Sequence, residues 1–264
     1  MRYLVFGDVH GNYEALKTVL AEGQQRGVGA HLFVGDLVGY GPNPLECIQV
    51  VMGLKQFGFA WVAGNHELAV RGDVAFDGYS VEARRTLQWT RMQLDGEEWA
   101  MKFLLSAPLT AEVNREVWLT HESLVHPGSA KYNREPLHAV PELKALAAYG
   151  GRVAFYGHTH RVRAELMNHS GQVIPAELEM FEGEGLDPQP VKMGEGQRLW
   201  MGVGSVGFPI NKGRKTEFLI LDDEHWHVEK YAVAYPRERT KARVEKVLGP
   251  ACGQEVAAQI ARWL

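Results

Sequence analysis

The sequence predicts an α/β fold built on two sheets. Through the first 160 residues, short apolar runs rich in Val, Leu and Phe alternate with longer segments of helical period. After residue 160 the pattern becomes a succession of strand-like segments, which suggests a second, largely antiparallel sheet. A chain of 264 residues, 45% hydrophobic and 23% charged, is long enough to bury a sizeable core. One domain is expected over residues 1–235, followed by a helical tail over residues 236–264.

The runs YLVF (residues 3–6), HLFV (31–34), FAWV (59–62), VWLT (117–120) and VAFY (153–156) are continuously apolar, as strands covered on both faces are. Helices are expected over residues 13–25, 44–54, 81–94, 97–105 and 141–149. In the first of these, Leu16, Val19 and Leu20 share a face, Glu14, Lys17 and Glu22 can face water, and Asn12 is placed to cap the start. Later strands are expected over residues 162–167, 173–180, 199–203, 217–221 and 226–233, and the Gly-, Pro- and acid-rich residues 182–197 read as a loop. In the tail, Val256, Ile260 and Trp263 form an apolar stripe that packs on the body or joins a second copy of the chain, the body being the expected partner. The aromatic residues Trp61, Trp89, Trp99, Trp118 and Phe155 are expected in the core.

Composition narrows the function. A formal net charge of −4 argues against nucleic-acid binding through phosphates. No run approaches the roughly 18 apolar residues of a membrane span, and the opening residues lack a signal layout, so a cytoplasmic location is expected. Cys47 and Cys252 lie far apart with no CxxC, and two half-buried thiols are expected rather than a disulfide or a thiolate metal site.

Each of the five early apolar runs leads into a residue able to bind a metal: Asp8 and His10, Asp36, Asn65, His121, and His158 and His160. The ends of parallel strands line a shared crevice in α/β sheets, so residues distant in sequence can converge there. Glycine directly precedes Asp8, Asp36, Asn65 and His158, where the backbone can turn sharply and approach an ion. The i, i+2 pairs Asp8/His10 and His158/His160 would point to one side in extended chain. Two carboxylates, one amide and four imidazoles exceed the needs of one ion and suit two that share a carboxylate, with Asp36, alone on its loop, as the bridge. Mixed oxygen and nitrogen donors without thiolate fit Mn²⁺ first, with Fe or Zn²⁺ as alternatives. Paired cations about 3.5–4 Å apart acidify a water and hold phosphate oxygens for in-line attack. His66 is then the proton donor or charge stabiliser for the phosphoryl group, with Glu67 a candidate to position its ring.

GDVHGN, GDLVGYGPNP, GNHE, THES and GHTH, in that order, resemble the five motifs of the calcineurin-like metallophosphoesterase superfamily, with the resemblance running over residues 1–235. The chain looks most like the small bacterial and archaeal YfcE-like phosphodiesterases, in which such a second motif and a late GSVG segment (residues 204–207) are familiar. The resemblance implies a two-sheet β-sandwich flanked by helices. It also implies that Asp8, His10 and His160 hold one metal, Asn65, His121 and His158 the other, and Asp36 both, with His66 catalytic. The implied activity is hydrolysis of a small phosphodiester, nucleotide-containing ones included, by hydroxide carried on the metals. A phosphomonoesterase, a nuclease of the same superfamily, and a noncatalytic scaffold like the retromer subunit with this fold are the alternatives.

Some positions depart from relatives. The Asp and Arg that follow the bridging Asp in phosphoprotein phosphatases are Gly39 and Tyr40 here, which disfavours protein phosphatase activity. The fourth motif carries Glu122 beside the phosphate site, where it either repels a highly charged monoester or points to solvent. The late GSVG loop follows Gly202-Val203 rather than Asn-Pro. Outside the motifs, His126, Arg134 and His138, on the loop leaving the fourth motif, and Arg214, in the Lys212/Arg214/Lys215 cluster, are candidate substrate contacts. The expected partner is a small phosphorylated substrate, and self-association through the C-terminal helix is an open possibility.

Overall fold

The structure is a computed structural model that describes residues 1–129, 139–176 and 190–264. Its first half alternates strands and helices: β1 (Arg2–Phe6), α1 (Tyr13–Gln25), β2 (Ala30–Phe33), α2 (Pro44–Gly53), β3 (Phe59–Trp61), α3 (Asn65–Arg71), α4 (Val81–Gln93) and α5 (Glu98–Leu105). Then come β4 (Thr110–Glu112), β5 (Val117–Thr120), α6 (Ala139–Ala148) and β6 (Val153–Tyr156). The later part runs through β7 (Val162–Met167), β8 (Val173–Pro175), β9 (Val191–Lys192), β10 (Arg198–Val203), β11 (Thr216–Asp222) and β12 (His227–Val233) to α7 (Arg237–Cys252) and α8 (Gln254–Trp263).

Two mixed six-stranded sheets, ordered β3-β2-β1-β11-β12-β9 and β4-β5-β6-β10-β7-β8, pack face to face with helices outside. The period of two along each strand explains this layering. Tyr3 and Val5 of β1 face the second sheet, as do Leu219 and Leu221 of β11, and they meet Val153 and Phe155 of β6 and Leu199 and Met201 of β10. The alternate residues Leu4, Phe6, Phe218 and Ile220 pack instead with Leu16 and Val19 of α1. Ala154, Tyr156 and Trp200 do the same for Leu143 and Leu146 of α6. Both faces of each central strand are therefore dry, and its sequence reads as an unbroken apolar run.

The late strands do not form a second sheet of their own. β11 joins β1 antiparallel and extends the first sheet, while β10 joins β6 parallel and completes the second. A period-two pattern marks which residues share a face but not which neighbour a strand chooses. Three short elements, α3, β4 and β9, have no counterpart among the expected ones, being too brief for a periodic signal. Of the strand expected over residues 173–180, β8 ends at Pro175 and residues 177–180 lie outside the described residues.

Asn12 caps α1 as expected, its side chain accepting from the Ala15 amide at 3.2 Å. The tail lies on the body. Val256, Ala257 and Ile260 of α8 bury with Val244 and Leu248 of α7 against Trp89 of α4 and Phe208, while Trp263 stands edge-on to Tyr40 at 5.7 Å. Trp99 is a correction: it is 38% exposed, with its indole N–H donating to Glu97, rather than in the core. Cys47 and Cys252 are free thiols, Cys47 fully buried and Cys252 nearly so, rather than half-buried. Among the described residues no helix is long and apolar enough to cross a membrane.

Candidate metal centre

Strands β1, β2 and β3 run parallel in one sheet and β5 and β6 parallel in the other, so their C-terminal ends open on one rim. Asp8 and His10 follow β1, Asp36 follows β2, Asn65 and His66 open α3 just after β3, His121 follows β5, and His158 and His160 follow β6. Backbone hydrogen bonds tie these loops together: Asp8 N to Gly35 O, His10 N to Asp36 O, and Gly157 N to His121 O. Asp8, His10, Asp36, His158 and His160 all hold left-handed backbone, with φ between 48° and 62°. For residues with a Cβ this region costs energy, and it concentrates where a structure must aim side chains. The shared direction of Asp8 and His10, and of His158 and His160, thus comes from left-handed turns and not from the extended chain that their spacing suggested.

The donors form two neighbouring sets. In the first, His160 Nε2 lies 3.3 Å from Asp8 Oδ1 and 3.0 Å from His10 Nε2. In the second, Asn65 Oδ1 lies 3.2 Å from His121 Nε2 and 3.0 Å from His158 Nδ1. Asp36 Oδ2 stands between them, 3.7 Å from His10 Nε2 and 3.2 Å from His121 Nε2. Backbone carbonyls set the tautomers. His10 Nδ1 donates to Val38 O, His121 Nδ1 to Val34 O and His160 Nδ1 to Phe208 O, which leaves each Nε2 facing inward, with the His10 and His160 lone pairs aimed at each other. Two lone pairs 3.0 Å apart repel unless a cation or proton lies between them, and the buried Asp8 Oδ2 has no hydrogen-bond partner among the described residues. Those features fit a divalent cation in the first set, where Asp8, His10 and His160 offer ligand atoms within 4.8 Å of one another, as Asp8, Asp36 and His121 do beside it.

The electrostatics of the cluster agree with that fit. Burial depresses the His10 imidazole well below its ordinary range, and His66 adds to the effect. Burial also acts on His158, with the charge on His121 reinforcing it, and lowers it to about 3. At His121 burial is outweighed by Asp36, Asp8 and Glu122, and the imidazole rises to about 10. The carboxylates around His121 therefore favour positive charge at this point of the cluster.

His66 is buried, its Nδ1 donates to Val38 O at 3.0 Å, and the residue lines both clefts at the rim. Glu67 does not touch that ring, contrary to expectation. Its carboxylate accepts from the amides of Asp36, Leu37 and Gly64 at 2.8 Å each and from Val38 at 3.2 Å. It thereby holds the peptide run whose carbonyl orients His66. Burial and the Asp36 charge push Glu67 up to about 7, while the amides aimed at it favour the carboxylate. Gly39 leaves room for the His66 ring: a Cβ there would collide with His66 Nδ1, and its φ of 87° is left-handed. Tyr40 packs against both His10 and His66 with ring centroids 5.0 Å apart.

Two further elements support the site, of which Tyr79 had no place in the sequence reading. Tyr79 accepts from Asn65 Nδ2 at 3.3 Å and donates to Asn65 O at 2.6 Å, which fixes the amide with Oδ1 toward the imidazoles. The late GSVG loop braces the first set, with Ser205 Oγ donating to Asp8 O and Phe208 O accepting from His160. Glu122 is buried and does not point to solvent; its Oε1 lies 3.8 Å from His158 Nδ1. Of the candidate substrate contacts, Arg214 lines a cleft beside His66, and His126 is exposed and lines neither cleft at the rim. Arg134 and His138 lie outside the described residues.

Paired sheets whose parallel strands deliver Asp, Asn and His side chains to one rim define a metallophosphoesterase scaffold. Residues 1–162, which contain all five motifs, match the family of calcineurin-like phosphoesterases, and the chain belongs to it. The uncharacterized protein MJ0912 of Methanocaldococcus jannaschii is 27% identical over 250 residues, covering 92% of this chain and 91% of that one. A metallophosphoesterase from Sphaerobacter thermophilus superposes with a TM-score of 0.74 at 25% identity over 100% of both chains. The hypothetical protein PH1004 of Pyrococcus horikoshii OT3 shares the fold, with a TM-score of 0.69 at 17% identity over 98% of this chain and 97% of that one.

Two substitutions test this construction. Glu67→Ala strands buried amide donors and is expected to cost at least about 3 kcal/mol in urea unfolding. At about 2–4 °C per kcal/mol this lowers Tm by roughly 6–12 °C; a change within about 0.5 kcal/mol would show that the carboxylate does not hold the loop. Gly39→Ala displaces the His66 ring and is expected to reduce phosphoesterase kcat about 100-fold. Unchanged turnover would mean that the ring can shift freely.

Proposed function

We propose that the protein is a dinuclear metal-dependent phosphodiesterase that hydrolyses a small phosphodiester, nucleotide-containing ones included. The observation that carries this reading is Asp36 Oδ2, which lies within 3.7 Å of a nitrogen donor from each of two separate sets. Asp8, His10 and His160 would hold one cation, Asn65, His121 and His158 the other, and Asp36 both. Mn²⁺ suits this mixture of hard oxygen and imidazole donors, with Fe or Zn²⁺ as alternatives. When bound, such a pair neutralises phosphate oxygens and makes a water acidic enough to act as the nucleophile near pH 7.

The chain's own residues supply the rest. The water would lose its proton to solvent, its oxygen would bond to phosphorus in line with the ester oxygen as the P–O ester bond breaks, and His66 in its imidazolium form would give its Nε2 proton to the departing alkoxide and regain one from solvent; burial lowers this imidazole, so the negative charge of a bound phosphate is what favours that form. The Nδ1–H bond to Val38 O holds the ring with Nε2 turned toward the cleft. The preference for diesters follows from charge. Glu122 adds a buried negative charge at the edge of the second set, which disfavours a dianionic monoester more than a monoanionic diester.

Protein stripped with chelator should regain hydrolysis of bis-p-nitrophenyl phosphate on addition of Mn²⁺, at a higher rate than for p-nitrophenyl phosphate. His66→Ala should lower kcat by about 10²–10⁴-fold. No recovery with any divalent metal would refute the enzymatic reading, and faster monoester turnover would refute the diester preference.

A further inference from the structure

Beside the metal centre, on the His66 side, a second cleft of about 400 Å³ opens from the same rim, within the roughly 300–1,000 Å³ usual for small-molecule sites. Tyr40, Asn65, His66, His160 and Ile210 line both this cleft and the one over the metal donors, so the two are continuous. A group esterified to a phosphate held at the donors would lie there, next to the histidine that protonates the departing oxygen. The walls are aromatic. Tyr79 stands edge-on to His66 at 5.8 Å on one side, and on the other Tyr40 contacts Phe208 at 5.2 Å and Trp263 at 5.7 Å.

The polar groups sit at the edge. Arg214 holds left-handed backbone with φ 50°, and its guanidinium donates to Pro209 O at 3.0 Å; it forms no ion pair among the described residues. Its position is thus set by the chain before any ligand arrives. Glu82 and Ser80 line the rim near Tyr79 and provide acceptors. Aromatic faces with a fixed planar cation and a carboxylate at the margin match a heteroaromatic ring system, which has π faces to stack and a donor-bearing edge to read. A lipid tail would leave the charged margin unused, and a simple polyol would leave the aromatic walls poorly covered.

We infer that this cleft is a nucleoside subsite, in which Trp263 of the C-terminal helix stacks on the base and Arg214 and Glu82 engage its polar periphery. The inference rests on the phosphodiesterase reading for the position of the phosphate, and it gives the tail a second role: α8 carries a wall of the substrate site as well as packing on α4.

The test is calorimetric titration of the Mn²⁺-loaded protein with adenosine 5′-monophosphate and with ribose 5-phosphate, which share the phosphate and ribose and differ in the base. Base stacking predicts that the nucleotide binds on the order of tenfold tighter. In Trp263→Ala that ratio should fall towards one, and Trp263→Phe should restore most of it. Equal affinities in the unmodified protein would overturn the inference even if Trp263→Ala failed to fold, as would a ratio that Trp263→Ala leaves intact. Turnover of bis-p-nitrophenyl phosphate without base discrimination would refute the subsite alone. Base discrimination without turnover by any divalent metal would support the subsite and refute the hydrolytic reading.

Discussion

The carboxylate of Glu67 is the contact on which the geometry of the site depends. Its two oxygens gather amides from the loop after β2 and from the turn before α3. Three consequences follow from that one buried group. Asp36 is held with its Oδ2 between the two donor sets, Val38 O is aimed at His66 and His10, and α3 starts where Asn65 and His66 can enter the rim. Ionised acceptors bind amides more strongly than neutral ones, and here several amides share a single carboxylate. A preorganised loop keeps the strained backbone at Asp36 in place when nothing is bound.

Much of the site was legible in the sequence because its chemistry is local. The apolar runs end at the rim, the ligand-type residues follow them, and parallel strands leave no other place for those residues to meet. What could not be read is relational. Nothing in the GNHE motif shows that its glutamate reaches across to the Asp36 loop, although Glu at the third helical position after Gly64 is the pattern of a helix-start cap. Tyr79 lacked any signal, since its hydroxyl matters only once Asn65 is opposite it. The i, i+2 pairs pointed the right way for a wrong reason, because left-handed turns replaced the extended chain assumed for them.

The fold was legible to the same degree. Burial on both faces makes a central strand recognisable, while neighbour choice depends on long-range pairing that a local pattern does not contain. The late strands β10 and β11 therefore went to different sheets; the GSVG loop that follows β10 carries Ser205 against Asp8 O and Phe208 O against His160, and Glu217 of β11 donates its amide to Ser205 O. The tail shows the same division. The stripe of Val256, Ile260 and Trp263 announced a packed helix, but only the structure brings Trp263 to Tyr40 and the cleft beside His66.

The central claim is that two cations share Asp36, and anomalous X-ray scattering from crystals grown with Mn²⁺ tests it most directly. Two peaks about 3.5–4 Å apart, with an Asp36 oxygen on both, are expected. A single peak, or peaks that leave Asp36 uncoordinated, would contradict it.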